Sequence, residues 1–207
     1  EKRRLVLDNR RLRAASREAA SQAQTILPLI GDSPAMAQLR ATLSHIGTIE
    51  INVLIEGEAG TGRDRIARLL HDSSRRRARA FARVNCAGTP HDRLEDELFG
   101  SEDGPPGRRR TGRIEFANKG TLFLDGVEAL PMATQHRLAS ALESGEIIAN
   151  GGNSPRNIDL RAIGAIGHDP GRVVTAGGLS AELMFRLGAI RIRIPPLRER
   201  RDDIPLL

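Results

Sequence analysis

Between an apolar run, Asn52-Val53-Leu54-Ile55, and a helix-forming stretch, Ile66-Ala67-Arg68-Leu69-Leu70, stands Gly57-Glu58-Ala59-Gly60-Thr61-Gly62-Arg63-Asp64. The glycines let successive backbone N–H groups curl around an anion, and the following helix adds the positive end of its dipole. A strand, such a turn and a helix in that order constrain the chain to an α/β architecture. The turn then becomes a phosphate-binding loop, a P-loop, at the C-terminal end of a buried parallel strand.

The rest of the chain agrees with that beginning. Short apolar runs at 81–84, 121–124, 159–166 and 189–194 read as strands, and stretches at 34–46, 94–99, 135–142 and 182–187 read as helices. Their alternation predicts a parallel sheet with helices on both faces. Pro34 suits a first helical position with Ser33 as its cap. The clearest loop is 101–111, SEDGPPGRRRT, with Gly104-Pro105-Pro106-Gly107 at its centre. Residues 1–25 lack Gly and Pro, and Leu5, Leu12, Ala19 and Ile26 recur every seven positions, which predicts a linker helix ahead of an α/β unit spanning 26–207.

Composition excludes several function classes. Trp and Tyr are absent and Phe occurs five times, so the core is aliphatic and a stacking platform for single-stranded nucleic acid is excluded. Of the net charge of +6, most comes from residues 1–25, where seven basic residues face three acids; the near-neutral body argues against direct DNA binding. The runs Arg75-Arg76-Arg77 and Arg108-Arg109-Arg110 read as solvated loops. One cysteine, Cys86, leaves no internal disulfide and fits a reducing cytoplasm. No apolar stretch is long enough to span a membrane. The chain opens on a charged helix-like segment without signal-peptide character, as expected of a piece of a longer protein.

Five positions, two closing the glycine turn and three at a later strand end, bear on the chemistry. Arg63 and Asp64 stand where the generic signature has Lys and then Ser or Thr; Arg keeps the charge but is a larger planar fork. It either serves the phosphate or points outward from an empty pocket. Leu122-Phe123-Leu124-Asp125 has the form of a strand that delivers an acid to its C-terminal end, near a nucleotide's magnesium. The next residue, Gly126, offers no side chain to polarise water, and Glu128 follows two residues later. His71 reads as structural, and His168 as a neighbour of the phosphate region.

With these stretches assembled, the chain from Ile30 to Leu207 resembles the AAA+ central domain of sigma-54-dependent response regulators of the nitrogen-regulation protein C class. The resemblance is carried by IGDSPAM (30–36), VLIEGEAGTGRD (53–64), ARLLHDSS (67–74), VNCAG (84–88), LEDELFG (94–100), GTLFLD (120–125) and PPLRERRDDIPLL (195–207). DNRRLR (8–13) is most similar to four-carbon dicarboxylate transport regulators, in which such a linker follows a receiver domain. The resemblance implies a ring of subunits that binds ATP or ADP with Mg and remodels sigma-54 RNA polymerase. It further implies DNA contact through a separate C-terminal domain, and a helical lid after Leu207. It also assigns nucleotide contacts to Ile30, Gly31, Gly57, Glu58, Ala59, Gly60, Thr61, Gly62, Arg63 and Asp64, an indirect magnesium contact and catalytic role to Asp125, a switch role to Asn85, and a trans-acting catalytic role to Arg186.

Departures from the family pattern are as informative. The P-loop Lys is Arg63, the water-polarising Glu is Gly126, the Thr-Asn of the γ-phosphate sensor aligns with Ile166-Gly167, and the first trans-acting arginine aligns with Ser180. The GAFTGA loop that touches the sigma factor is replaced by Gly104-Pro105-Pro106-Gly107 and shortened. Two readings follow. In the first, a degenerate AAA+ domain of a two-component transcription regulator oligomerises and binds nucleotide with little or no hydrolysis. In the second, an active ATPase remodels closed polymerase complexes.

Overall fold

The computed structural model describes residues 29–102 and 109–207. The linker helix expected over 1–25 and the Gly104–Gly107 turn lie outside the described residues.

Five strands form one parallel sheet: β1 (Val53–Glu56), β2 (Phe81–Asn85), β3 (Thr121–Asp125), β4 (Arg161–Ile166) and β5 (Ile190–Arg193). Their spatial order is β2-β3-β4-β1-β5. Helices α1 (Pro34–Gly47) and α2 (Arg63–Asp72) cover one face. The other is covered by α3 (His91–Phe99), α4 (Met132–Ser144) and α6 (Ala181–Leu187), and α5 (Pro170–Thr175) packs against α6. Side chains alternate accordingly: Val53, Ile55, Phe123, Ile163 and Ala165 enter the α1–α2 layer, and Leu54, Leu122, Leu124, Ala162 and Ile166 the other. Near-continuous apolar strands are what a sheet buried on both faces requires.

The expected elements are present, with boundaries moved by capping chemistry. Ser33 Oγ accepts from Met36 N, with Pro34 in the first turn, so α1 begins where the sequence placed it. Helix α2 starts at Arg63 rather than at Ile66, directly on the glycine turn. Helix α5 was not expected from the sequence; Asp169 caps it by accepting from Arg172 N at 2.8 Å.

Arg161 at the start of β4 holds the layers together. It is 1% exposed and makes no ion pair among the described residues; instead its guanidinium donates to the carbonyls of Ile46, Gly47, Ile51 and Leu70. Ile46, Gly47 and Leu70 belong to the last turns of α1 and α2, where carbonyls lack intrahelical partners and helix dipoles favour a cation. Burial pulls its pKa down from the usual arginine value. His71 is structural, as expected: it is buried, Nδ1 lies 2.8 Å from Thr121 Oγ1, and its ring packs beside Phe81. The 75–77 run is not uniformly solvated. Arg76 pairs with Glu50 at 2.5 Å and with Asp159 at 2.7 Å, joining three loops at the N-terminal end of the sheet. Among the described residues no helix is long and apolar enough to cross a membrane.

Candidate functional site

Register brings the site together. Glu56 pairs with Ile166 and Arg193, Asn85 with Asp125, and Asp125 with Ala165, so the strands end along one edge of the sheet. Gly57, Cys86, Gly126, Gly167 and Ile194 each lie at or next to that edge, where open α/β sheets bind ligands.

The glycine turn forms an open cradle. Gly60 and Gly62 have φ of +83° and +99°, and a Cβ on either would meet nothing within 4 Å. These left-handed conformations turn the backbone so that, among the described residues, no carbonyl accepts from the amides of Ala59, Gly60 or Gly62. Open space, unclaimed amides and the α2 N-terminus fit a phosphate group. Thr61 Oγ1 is occupied within the turn, donating to Glu58 O at 2.7 Å. Glu58 is clipped by both carboxylate oxygens to Arg198, at 2.7 and 2.8 Å, which ties the turn to the segment after β5 and holds the Glu58 carboxyl below its usual range.

Arg63 neither points outward nor extends into the cradle. It folds back, with Nη1 donating to Gly57 O at 3.1 Å and Nη2 lying 3.0 Å from Asp125 Oδ1. The latter contact is an ion pair by distance without hydrogen-bond alignment, so Asp125 Oδ1 is buried with no hydrogen bond. The other oxygen, Oδ2, accepts from Arg83 Nη2 at 3.2 Å, and Arg83 Nε lies 3.1 Å from Asp64 Oδ1. Asp125 is therefore held between two guanidiniums, and one of these is shared with Asp64.

That arrangement does not fit a magnesium ion. Such an ion needs carboxylate or hydroxyl oxygens turned toward it and open to its water shell. Here both Asp125 oxygens face arginines, and Asp64, the acid after Arg63, is paired with Arg83.

Gly126 has φ +77° and lies under Ala87, so the chain turns sharply at the end of β3. The one-turn helix Val127–Ala129 that follows brings Glu128 back to the edge, where Oε1 accepts from Gly167 N at 2.9 Å. Its Oε2 is buried without a partner. A Cβ on Gly167 would sit 3.4 Å from Glu128 Oε1 and 3.6 Å from Arg63 Nη1, so the Glu128 carboxylate and the Arg63 guanidinium flank this position. Asn85 is not idle: its Oδ1 accepts from Gly88 N at 3.0 Å. Buried Cys86 has its thiol pKa pushed up to about 12 by desolvation and neighbouring carboxylates, which makes it inert.

Other expected site residues lie elsewhere. Ile30 and Gly31 precede α1; Gly31 O accepts from Arg40 Nη1 at 2.5 Å, and the next residues are anchored by Asp203, whose Oδ1 accepts from Asp32 N and Ser33 N. Arg186, on α6, pairs with Glu143 of α4, and its carbonyl accepts from Asn52 Nδ2 just before β1. It thus sits at the opposite end of the sheet from Arg63. Ser180 has a local task, capping α6 by accepting from Leu183 N at 3.1 Å. His168 is exposed beside the edge. A cavity of about 940 Å³ lies not at the cradle but beside α3, lined by Gly88, Thr89, Arg93 and Arg110 among others.

Arg83 was missed by sequence reasoning. Its place in the alternating strand Phe81-Ala82-Arg83-Val84 is that of a solvent-facing residue, and only the pairing of β2 with β3 puts it beside Asp125. Glu128 was visible as a candidate, and the turn after β3 brings it in.

Comparison with known proteins matches residues 29–193 to the Sigma-54 interaction domain family. The C4-dicarboxylate transport transcriptional regulatory protein DctD of Rhizobium meliloti is 48% identical over 210 residues, covering 100% of this chain and 45% of that protein. The DNA-binding transcriptional regulator NtrC of Azospirillum brasilense is 41% identical over 191 residues, covering 91% of this chain and 40% of its own length. The crystal structure of NtrX from Brucella abortus in complex with ATP superposes with a TM-score of 0.82 at 30% identity, over 99% of this chain and 45% of that one. The chain spans less than half the length of these relatives.

Proposed function

This chain belongs to the Sigma-54 interaction domain family, and from that premise we propose that it is the nucleotide-responsive AAA+ module of a two-component transcription regulator, binding ATP or ADP with little or no hydrolysis. Nucleotide binding is supported by the open cradle of Gly60 and Gly62 and by the ATP complex of the similar NtrX. Ala59, Gly60, Gly62 and the first turn of α2 hold the phosphates, Arg63 supplies charge, and Ile30 and Gly31 border the base. Bound nucleotide would supply the phosphate charge that reorganises these residues.

The observation that carries weak turnover is the end of β3. Asp125 is clamped by Arg63 and Arg83, and Gly126 puts no carboxylate where a water would be polarised. Loss of a positioned general base alone typically costs ~10²–10⁴ in rate. Self-association fits α6, where Phe185 is 75% exposed beside Arg186, the residue that would reach a neighbouring subunit's nucleotide. In this reading the full-length regulator acts in the cytoplasm and contacts DNA through a further domain.

The second reading, an active ATPase acting on sigma-54 polymerase, is favoured by one feature, the unpartnered Oε2 of Glu128. Steady-state phosphate release by the purified protein decides between them. Release at background, unchanged by Asp125→Ala, supports the first reading. Sustained release that Glu128→Gln abolishes overturns it in favour of the second.

A further inference from the structure

We propose that this site takes a nucleoside di- or triphosphate without a divalent cation, Arg63 and Arg83 supplying the positive charge that a metal would otherwise bring. The inference rests on the nucleotide-binding reading above and concerns how that same site manages phosphate charge.

Three observations carry it. First, both oxygens of the acid that would face a metal lie against guanidiniums: Arg63 Nη2 stands 3.0 Å from Asp125 Oδ1, which makes no hydrogen bond, and Arg83 Nη2 3.2 Å from Oδ2. A divalent ion approaching Asp125 would meet two guanidiniums first, and like charges at such range repel strongly. Second, the acid after Arg63, Asp64, is turned away to Arg83 at 3.1 Å, so the second carboxylate near the turn is also held by a guanidinium. Third, both arginines retain donors, Arg63 from the first turn of α2 and Arg83 through its pair with Asp64 of that same turn. A guanidinium has five N–H groups in a fixed fork. Arg63 uses one on Gly57 O and directs another at Asp125, and its side chain is 17% exposed at the mouth of the turn. A phosphate oxygen can be received by a remaining N–H, or can replace Asp125 as partner, since phosphate and carboxylate present the same bidentate geometry to arginine. Lysine in place of Arg63 could not hold two acceptors in a plane in this way.

The arrangement makes Asp125 a stand-in anion. It keeps Arg63 and Arg83 in place when the cradle holds no phosphate and yields them when one arrives. Arg83 is the specific element. It pairs with both Asp125 and Asp64, and removing it leaves Asp64 without this partner and Asp125 with Arg63 alone, so that two carboxylates lose a shared counter-charge that a cation could replace.

The test is calorimetric titration of ADP, and of a non-hydrolysable ATP analogue, into the purified protein in millimolar Mg²⁺ and, separately, in EDTA. The same pair of titrations is made on Arg83→Ala, whose side chain is half exposed, with circular dichroism confirming its fold. The expected result is affinities within about threefold in the two media for the natural chain. For Arg83→Ala, binding should weaken in EDTA and be restored about tenfold or more by Mg²⁺. Binding by the natural chain that needs Mg²⁺ overturns the metal-free proposal while leaving the nucleotide reading intact. Absence of binding in both media overturns the nucleotide reading and this proposal with it. A metal-independent Arg83→Ala of unchanged affinity overturns the role given to Arg83.

Discussion

The guanidinium of Arg63 lies 3.0 Å from the carboxylate of Asp125, so the residue that closes the phosphate turn is tied to the acid at the tip of β3. In a site built around a metal the acid would face the ion and the base the phosphates. Here they hold each other, and most of what can be tested follows from that pairing.

Asp125→Asn removes an anion that competes with phosphate for Arg63 and Arg83. Affinity for ADP in EDTA is expected to rise by about three- to tenfold. A site that used Asp125 for a metal would show the opposite sign in Mg²⁺, so titrations in both media check the prediction.

Restoring the missing acid should not restore chemistry. Gly126 sits at φ +77°, a left-handed conformation that costs a non-glycine residue about 1–2 kcal/mol. Gly126→Glu is therefore expected to lower stability by that amount and leave phosphate release at background. Gly167→Asn meets only ordinary van der Waals neighbours at its Cβ and should be tolerated, as urea unfolding of both variants would show.

Arg161→Met leaves the carbonyls of Ile46, Gly47, Ile51 and Leu70 without their shared donor. Several buried acceptors lost together should cost about 3 kcal/mol or more. Arg161→Lys keeps the charge but spans fewer carbonyls, and its urea midpoint should fall between those of the natural chain and the Met variant.

His71 gives the fold a pH dependence of known sign. Burial holds its pKa below the ordinary 6.5, so the unfolded chain takes up this proton first as pH falls. Stability from neutral His71 is complete above pH 6.5 and is lost as pH drops from there toward the folded value. The depressed carboxyls of Glu58, Asp159 and Asp203 have ordinary values of 4.5, 3.8 and 3.8, so their loss begins at lower pH. Melting temperature should therefore decline between pH 6.5 and about 5 in the natural chain and stay flatter in His71→Gln.

Much of this molecule was legible in the sequence, because parallel α/β structure writes itself locally. A strand buried on both faces is a short apolar run, a cradle for phosphate is a cluster of glycines, and a helix start is a Ser-Pro pair; each needs only neighbouring residues to be recognised. So the order of elements, the positions of Gly57–Asp64 and Asp125, and the lack of an acid at Gly126 could all be read directly. Tertiary structure alone decided what the charged residues do. Arg83 and Asp125 are 42 positions apart and meet because β2 and β3 pair in register; Asp203 caps the entry to α1 across 170 positions; Arg186 ends up against Glu143, far from Arg63. Apolar patterning specifies which face of an element is buried, but it is silent on which distant charge a long, flexible arginine will find. That choice is made only when the strands are side by side, where distances of about 3 Å separate a paired guanidinium from a solvated one.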